Sequence, residues 1–439
     1  MNQPPDQTPS PNASVRRRPL VRRLLLAPEA GLVLVILVMG AVLAIASYGE
    51  ETGPTLTFTP EAQITETDEG IVVENDPRAG TYLAADGWSF DIRRRTFPAG
   101  STFERTPEGT IITPPEGRRV RIGLEQDVST LEDGSLVAQR AIAERTVKRS
   151  SFLKRQNLQL VAESASIFAI MAVGAAAVII LAGIDLSVGS IYALAGVVGG
   201  IVLRELDPGT SAFVAIPLAA ALCVGAGAVC GFVNGVGVVV MKVHPFVITL
   251  STMAVYRGVA LVLTGGDTVD GVPASVPASL DWRLTAIYTM VACALIGAVV
   301  YTRTVFGRRI FAVGGNEVAA RYAGVPVNRI RIMVFTIAGA LGGLAALMAL
   351  GRFGAAEASA GMAYELKVIA AAVIGGTSLA GGRGSAIGAV LGAIIIALIE
   401  NAFVVMRIPA QWSQVVFGVT IVIAVAIDRA KTGIQHRKS

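Results

Sequence analysis

Residues 183–190 read Gly183-Ile184-Asp185-Leu186-Ser187-Val188-Gly189-Ser190, an acid and two serines set among glycines between long apolar runs. A helix interrupted in this way exposes backbone groups, which a membrane interior tolerates only where protein or water satisfies them. A second interruption follows at Gly375-Gly376-Thr377-Ser378-Leu379-Ala380-Gly381-Gly382-Arg383-Gly384-Ser385. Both end in Gly-Ser and run into a Gly/Ala/Val helix, a hint of internal duplication. Paired interruptions mark the pathway or the repeat interface of a transporter. The alternative is a tight cytoplasmic turn with Asp185 or Ser187 as helix cap. The residues alone leave both open.

Outward from these breaks the chain is apolar. Of 439 residues 53% are hydrophobic and only 16% charged, with 48 glycines and a mean hydropathy of +0.62. Soluble domains carry roughly a quarter charged residues, so the composition points to a polytopic membrane protein. The glycines suit close helix packing in lipid. A span needs about 20 apolar residues. Such stretches lie near 160–182, 186–204, 211–237, 244–264, 284–302, 330–350, 365–380, 385–404 and 412–428. A first helix at 29–48 follows a basic tail, 1–28, whose Pro, Asn, Gln and Ser content predicts disorder. We read this helix as a retained anchor; the rival is a signal peptide ending at Ala44-Ile45-Ala46. The expected fold is therefore all-α, with about ten transmembrane helices and both termini cytoplasmic.

The loop 303–331 checks that topology. It holds Arg303, Arg308, Arg309, Arg321, Arg329 and Arg331 against one acid, Glu317, and falls on the cytoplasmic side as its charge requires. Within it Asn316 is placed to cap a helix running from Glu317 to Tyr322, and Gly324 to end it. A short capped helix presented to the cytoplasm suits docking of a partner; a solvated loop is the plainer alternative.

Residues 49–156 differ in kind. Turn signals at Asp86-Gly87, Ala99-Gly100, Pro107-Glu108-Gly109, Pro115-Glu116-Gly117 and Asp133-Gly134 separate short alternating runs such as Phe90-Asp91-Ile92 and Val120-Arg121-Ile122. That spacing predicts a small β-rich extracytoplasmic insertion after the first helix. From Leu136 the pattern turns helical and leads into the next span. Arg140, Arg145, Lys148, Arg149, Lys154 and Arg155 conflict with an outside placement, but the positive-inside rule weakens beside a long translocated domain.

Chemistry is sparse. None of the six lysines follows a glycine, so no nucleotide-binding Gly-Lys-Ser/Thr loop exists. His244 and His436 are far apart, and Cys223, Cys230 and Cys293 lie in apolar segments, which gives no metal-ligand spacing. Charges within spans are costly. Asp185, Ser187, Glu400 and Asn401 are the candidates for lining a pathway, with Glu400 and Asn401 equally readable as a polar pair satisfied at a helix interface. Glu365 and Lys367 fall near a predicted outer helix end, within reach of water.

The strings AGIDLSVGSIYALAG (182–196), GRRIFAVGGNEVAARYAGVPVNRIRI (307–332) and AYELKVIAAAVIGGTSLAGGRGSAIGAVLGA (363–393) resemble the permeases of ATP-binding-cassette importers for ribose, xylose and related monosaccharides. The resemblance covers about 151–439 and extends to the first helix. Amino-acid and nucleoside relatives differ at the first string, which favours a sugar. The resemblance implies a ten-helix permease in a bacterial inner membrane, paired with itself or a paralogue and surrounded by lipid. A cytoplasmic ATPase, which binds the ATP, would receive the 314–324 segment through Gly314, Gly315, Asn316, Glu317, Ala319, Ala320 and Gly324. An extracytoplasmic solute-binding protein would deliver the substrate. No catalytic residue, resident cofactor or nucleic-acid partner is implied. Relatives have a short loop where this chain has residues 50–150, so the resemblance is silent there. The rival readings are an ion-coupled secondary transporter, which needs more buried acids, and a membrane enzyme, which needs clustered catalytic groups.

Overall fold

Apolar residues on every face are what lipid-facing helices require, and the structure carries many. Leu34, Leu37, Val229, Phe232, Val262, Leu263, Leu295 and Ile296 all stand exposed on long helices. This computed structural model describes residues 28–83, 88–106, 109–117, 119–123 and 126–409, with 412, 413, 415, 416, 418 and 419. The tail before residue 28, the turn signals at 86–87 and 107–108, most of the predicted span 412–428 and the final basic run lie outside the described residues. The chain divides into two compact units, Met1–Leu43 with Lys154–Ser439, and Ala44–Leu153.

The helical unit contains α1 (Pro28–Ala46, continuing into the other unit), α2 (Arg155–Ile180), α3 (Val188–Arg204), α4 (Ala212–Met241) and α5 (Pro245–Thr264). A short α6 (Ser275–Ser279) precedes α7 (Trp282–Arg303), α8 (Val305–Gly315), α9 (Glu317–Tyr322), α10 (Val327–Phe353), α11 (Tyr364–Ile374) and α12 (Ala386–Val405). Seven of these are long and apolar enough to cross a membrane among the described residues. That is fewer than ten for a definite reason. α3 has 17 residues and α11 only 11, about 17 Å of rise for the latter against a core of about 30 Å. The predicted span 365–380 ends at Ile374, where the glycine break begins.

The core is α2 and α10. Beyond its exposed first turns α2 is buried from Ala165 to Ile180, with Ile167 alone partly exposed. Small residues allow α4 and α10 to touch backbone to backbone: a Cβ on Gly227 would collide with the carbonyl oxygen of Gly339, and one on Gly339 with that of Gly227. Such close approach is what drives helices together in lipid.

The described residues of the unit Ala44–Leu153 form ten strands. β2 (Gln63–Thr67), β3 (Gly70–Glu74) and β4 (Gly80–Leu83) form one antiparallel meander, and β6 (Thr102–Thr106), β7 (Gly109–Thr113) and β8 (Val120–Ile122) form another. β1 (Tyr48–Thr57), β5 (Trp88–Phe97) and β9 (Asp127–Thr130) all pair with β10 (Leu136–Ser150). The two meanders repeat one design. Thr67 Oγ1 donates to the carbonyl of Gly70 across one hairpin, and Thr106 Oγ1 to that of Gly109 across the other. Each meander then leads to a strand on β10, and each half has its own core, around Ile71 and Val73 in one and Ile112 and Ile122 in the other.

The β-rich insertion is therefore present, but its helical lead-in is not. Residues 136–150 form β10, hydrogen-bonded along one side to β1 from Ser150 back to Ile142 and along the other to β5 from Leu136 to Arg145. Ala, Gln, Glu and Arg favour helix locally, yet pairing on both edges overrides that preference.

Candidate functional site

Two helices begin inside the bundle instead of at its ends. α3 starts beside Gly342, past the midpoint of α10, and runs alongside it so that Gly199 reaches Leu350. α11 starts where the Tyr364 ring meets Phe168, midway along α2, at 5.0 Å, and Tyr192 of α3 at 5.5 Å. It runs the other way, towards the first turns of α12, where Ala371 abuts Gly392 and Gly375 abuts Gly388. The two N-termini thus face each other in the middle of the bundle.

Contact at this junction is direct. A Cβ on Gly189 would strike the carbonyl oxygen of Gly361, so only glycine fits there. Each helix N-terminus carries roughly half a positive charge, and the chain places a carboxyl group beside both. Glu365, in the first turn of α11, places Oε2 2.9 Å from where that Gly189 Cβ would stand. Arg257 of α5 donates to the carbonyls of Ala358 and Ala360, pinning the loop before α11. Glu365 and Lys367 accordingly sit midway along the bundle, not at a water-facing helix end, because the 354–363 segment dips inward before α11 begins.

A cavity of about 340 Å³ opens beside the junction, walled by Tyr192, Gly196, Phe353, Glu357, Gly361 and Tyr364 among others. Tyr192 is only 6% exposed, and its hydroxyl makes no hydrogen bond among the described residues. Glu357 is the one charged residue of the lining. The sequence signal for this site was faint: an aromatic one turn past the first break, and a run of small residues before Tyr364-Glu365.

The sequence candidates fall in two places. Asp185 and Ser187 are buried together in the segment before α3. Asp185 Oδ1 accepts from Ser187 N at 2.8 Å and Ser187 Oγ at 2.6 Å, an Asx turn one step ahead of the helix, whose N-cap Ser187 makes no side-chain cap hydrogen bond. Asn234 of α4 donates to Ser187 Oγ at 2.7 Å, and Tyr256 of α5 donates to Asn234 Oδ1 at 3.1 Å. Neither Asp185 nor Ser187 is part of the cavity lining. Glu400 pairs instead with Lys367, whose ammonium also lies over the Phe168 and Tyr364 rings. Asn401 and Asn157 exchange reciprocal amide hydrogen bonds of 3.0 and 2.6 Å between α12 and α2. One cluster escaped notice in the sequence: Glu163 of α2 lies between Arg283 of α7 at 3.3 Å and Arg352 of α10 at 3.2 Å. A lone acid within an apolar span, with arginines at the ends of two others, was its signal.

The 303–331 segment forms the expected short helix with the expected ends. Asn316 Oδ1 accepts from Ala319 N at 2.9 Å, α9 runs from Glu317 to Tyr322, and Gly324 turns the chain out at φ +79°. Ala320 is buried, whereas Val318 and Tyr322 project, Tyr322 with 90% of its surface exposed. Burial pulls the Glu317 carboxyl upward, but hydrogen bonds and charge from Arg321 and Arg331 prevail and hold it below the usual carboxylate range. Just before this helix, Gly314 presses on the end of α2 and on the second break. A Cβ there would collide with the Ile180 carbonyl and crowd Gly382 N, and Gly382 N itself donates to Ile180 O at 2.9 Å.

Residues 157–425 match the family model described as branched-chain amino acid transport system / permease component. The chain belongs to this permease family. Among curated relatives, the ribose import permease protein RbsC of Bacillus subtilis (strain 168) is 38% identical over 295 residues, 65% of this chain and 89% of that protein. The autoinducer 2 import system permease protein LsrC of Salmonella typhimurium is 36% identical over 293 residues, 65% of this chain and 82% of that one. The ribose import permease protein RbsC of Escherichia coli (strain K12) is 36% identical over 296 residues, 64% and 88% respectively. No solved structure matches. The permease is a multi-pass membrane protein, and its matched region begins beyond the β-rich unit.

Proposed function

We propose that this permease is the membrane-spanning subunit of an ATP-binding-cassette importer for a small neutral sugar or similar polyol. The observation that carries the reading is the contact of Gly314 with the Ile180 end of α2 and with the 381–382 turn. Through it, a displacement of the presented helix α9 reaches the end of α2 and the 375–385 segment at once. In this reading Gly314, Gly315, Asn316, Glu317, Ala319, Ala320 and Gly324 engage a cytoplasmic ATPase, which binds the ATP. A solute-binding protein delivers substrate from the other side, and a second permease copy completes the pathway. Both termini are cytoplasmic, and the insertion is extracytoplasmic.

The cavity supports a neutral hydroxylated solute over an amino acid. A zwitterion needs a cation for its carboxylate, whereas the lining offers only the Glu357 acid. The Glu365 carboxyl already occupies the space beside the two N-termini. Tyr192, Phe353 and Tyr364 give rings for the apolar face of a sugar, and Glu357 an acceptor for its hydroxyls. The named relatives agree, since they are ribose and autoinducer 2 permeases and not amino-acid ones.

Reconstitution in proteoliposomes with a partner ATPase and binding protein tests the reading. Uptake of radiolabelled pentose should require ATP and the ATPase subunit. Uptake that persists without either, driven by an ion gradient, would sink it in favour of a secondary transporter.

A further inference from the structure

At the bundle end that carries residues 304–326, α4 stops at Met241 and α5 starts at Pro245. Lys242 turns the chain between them in the left-handed conformation, with φ at +55°. A cavity of about 450 Å³ opens beside this turn, separate from the one at the helix junction and lined by Lys242, His244, Glu317, Arg321, Asn328 and Arg331 among others. Three permanent cations face a single carboxylate. Glu317 is already shared by Arg321 at 2.9 Å and Arg331 at 2.5 Å, while Lys242 forms no ion pair among the described residues. His244 Nδ1 accepts from Phe246 N at 3.3 Å and so caps the start of α5.

The surroundings specify what the anion is attached to. Val240 and Met241 on the last turn of α4, and Phe246 and Val247 on the first turn of α5, are all exposed. A basic cavity and an open apolar surface therefore share the same few turns. We propose that this cavity holds the phosphate headgroup of an anionic membrane phospholipid, with its acyl chains against that apolar surface. Guanidinium forks match phosphate oxygens two at a time, and an ammonium adds a point charge. A free anion would leave the apolar surface uncovered. A docking protein can use surface outside the cavity lining, where Asn316, Val318, Ala319 and Tyr322 of this segment are all exposed. The lipid would brace α9 against the ends of α4 and α5, and this holds whatever solute is transported.

Native mass spectrometry on the delipidated full chain tests this, with phosphatidylglycerol and phosphatidylcholine of equal acyl composition. Phosphatidylglycerol should be retained in preference, and Lys242→Gln should cut that preference about fivefold, while Lys242→Arg keeps it. Should Lys242→Gln fail to fold, Arg321→Gln makes the same test. Equal retention of both lipids, or an undiminished preference in a folded variant, would overturn the proposal. So would displacement by inorganic phosphate alone, which marks a simple anion site. Preferential retention of a hexaglutamate peptide would also overturn it and assign the cavity to an acidic protein segment.

Discussion

The two interruptions of the bundle are held in opposite ways. The 181–187 segment before α3 is fixed by side chains: Asp185 holds Ser187, Asn234 reaches Ser187, and Tyr256 holds Asn234. The 375–385 segment after α11 is fixed by backbone. Gly375 abuts Gly388, Gly381 and Gly382 abut Gly314, and Gly382 N donates to Ile180 O. Ser385 Oγ adds a cap by accepting from Gly388 N at 3.1 Å, while Thr377 Oγ1 is buried with no partner among the described residues. A hydrogen-bonded segment resists displacement because buried groups left unpaired cost free energy. A glycine contact bears load only through shape, and it slides as soon as its partner moves. The segment beside α9 is thus the one built to transmit motion, and the one buried between α4 and α5 is built to stay.

The largest effect should come from filling the backbone contact. Gly314→Val drives a side chain into the Ile180 carbonyl, which cannot yield without shifting α2. Overpacking of this kind costs about 1–3 kcal/mol, and more where backbone must move. ATP-driven uptake in proteoliposomes should be abolished and thermal unfolding should come earlier. Wild-type uptake would show that shape at Gly314 does not connect α9 to the end of α2 and the second break.

Next in size is the side-chain network. Asp185→Ala leaves the Ser187 amide and hydroxyl without their acceptor, at about 1–3 kcal/mol. Asp185→Asn keeps an acceptor oxygen in the same place and should cost a fraction of that. Thermal unfolding in nanodiscs separates the two. An Asn variant as damaged as Ala would mean that charge, and not hydrogen-bond geometry, holds the segment, and the contrast between the breaks would need redrawing.

What the sequence made legible was mostly local. Asn316 and Gly324 mark the ends of α9 because capping and helix exit are decided within a turn of the chain. The glycine breaks were visible for the same reason. β10 was not, since its helix-favouring residues pair with β1, far back in the sequence, and with β5. Hydropathy could not show that α11 begins halfway along α2, because the apolar run 365–380 looks the same wherever it starts. The candidate residues share this limit. A polar group in an apolar run must be satisfied, but Asp185 and Asn401 do not reveal from sequence that Ser187 and Asn157 satisfy them.

The smallest effect belongs to Glu317, and it sharpens the contrast from the other side. If shape at Gly314 fixes the α8–α9 segment, the charge bridge one turn away should matter little. Glu317 is held below the usual carboxylate range, so it binds protons less readily folded than unfolded. Its contribution is therefore present above the unfolded value of about 4.3 and is lost as pH falls through the lower folded value. Partly exposed ion pairs rarely exceed about 1 kcal/mol. Unfolding temperatures of the wild type and Glu317→Gln should differ slightly at pH 7 and converge as the pH is taken to 3. A gap at pH 7 as large as that of Gly314→Val would mean that charge, and not backbone contact, anchors the segment.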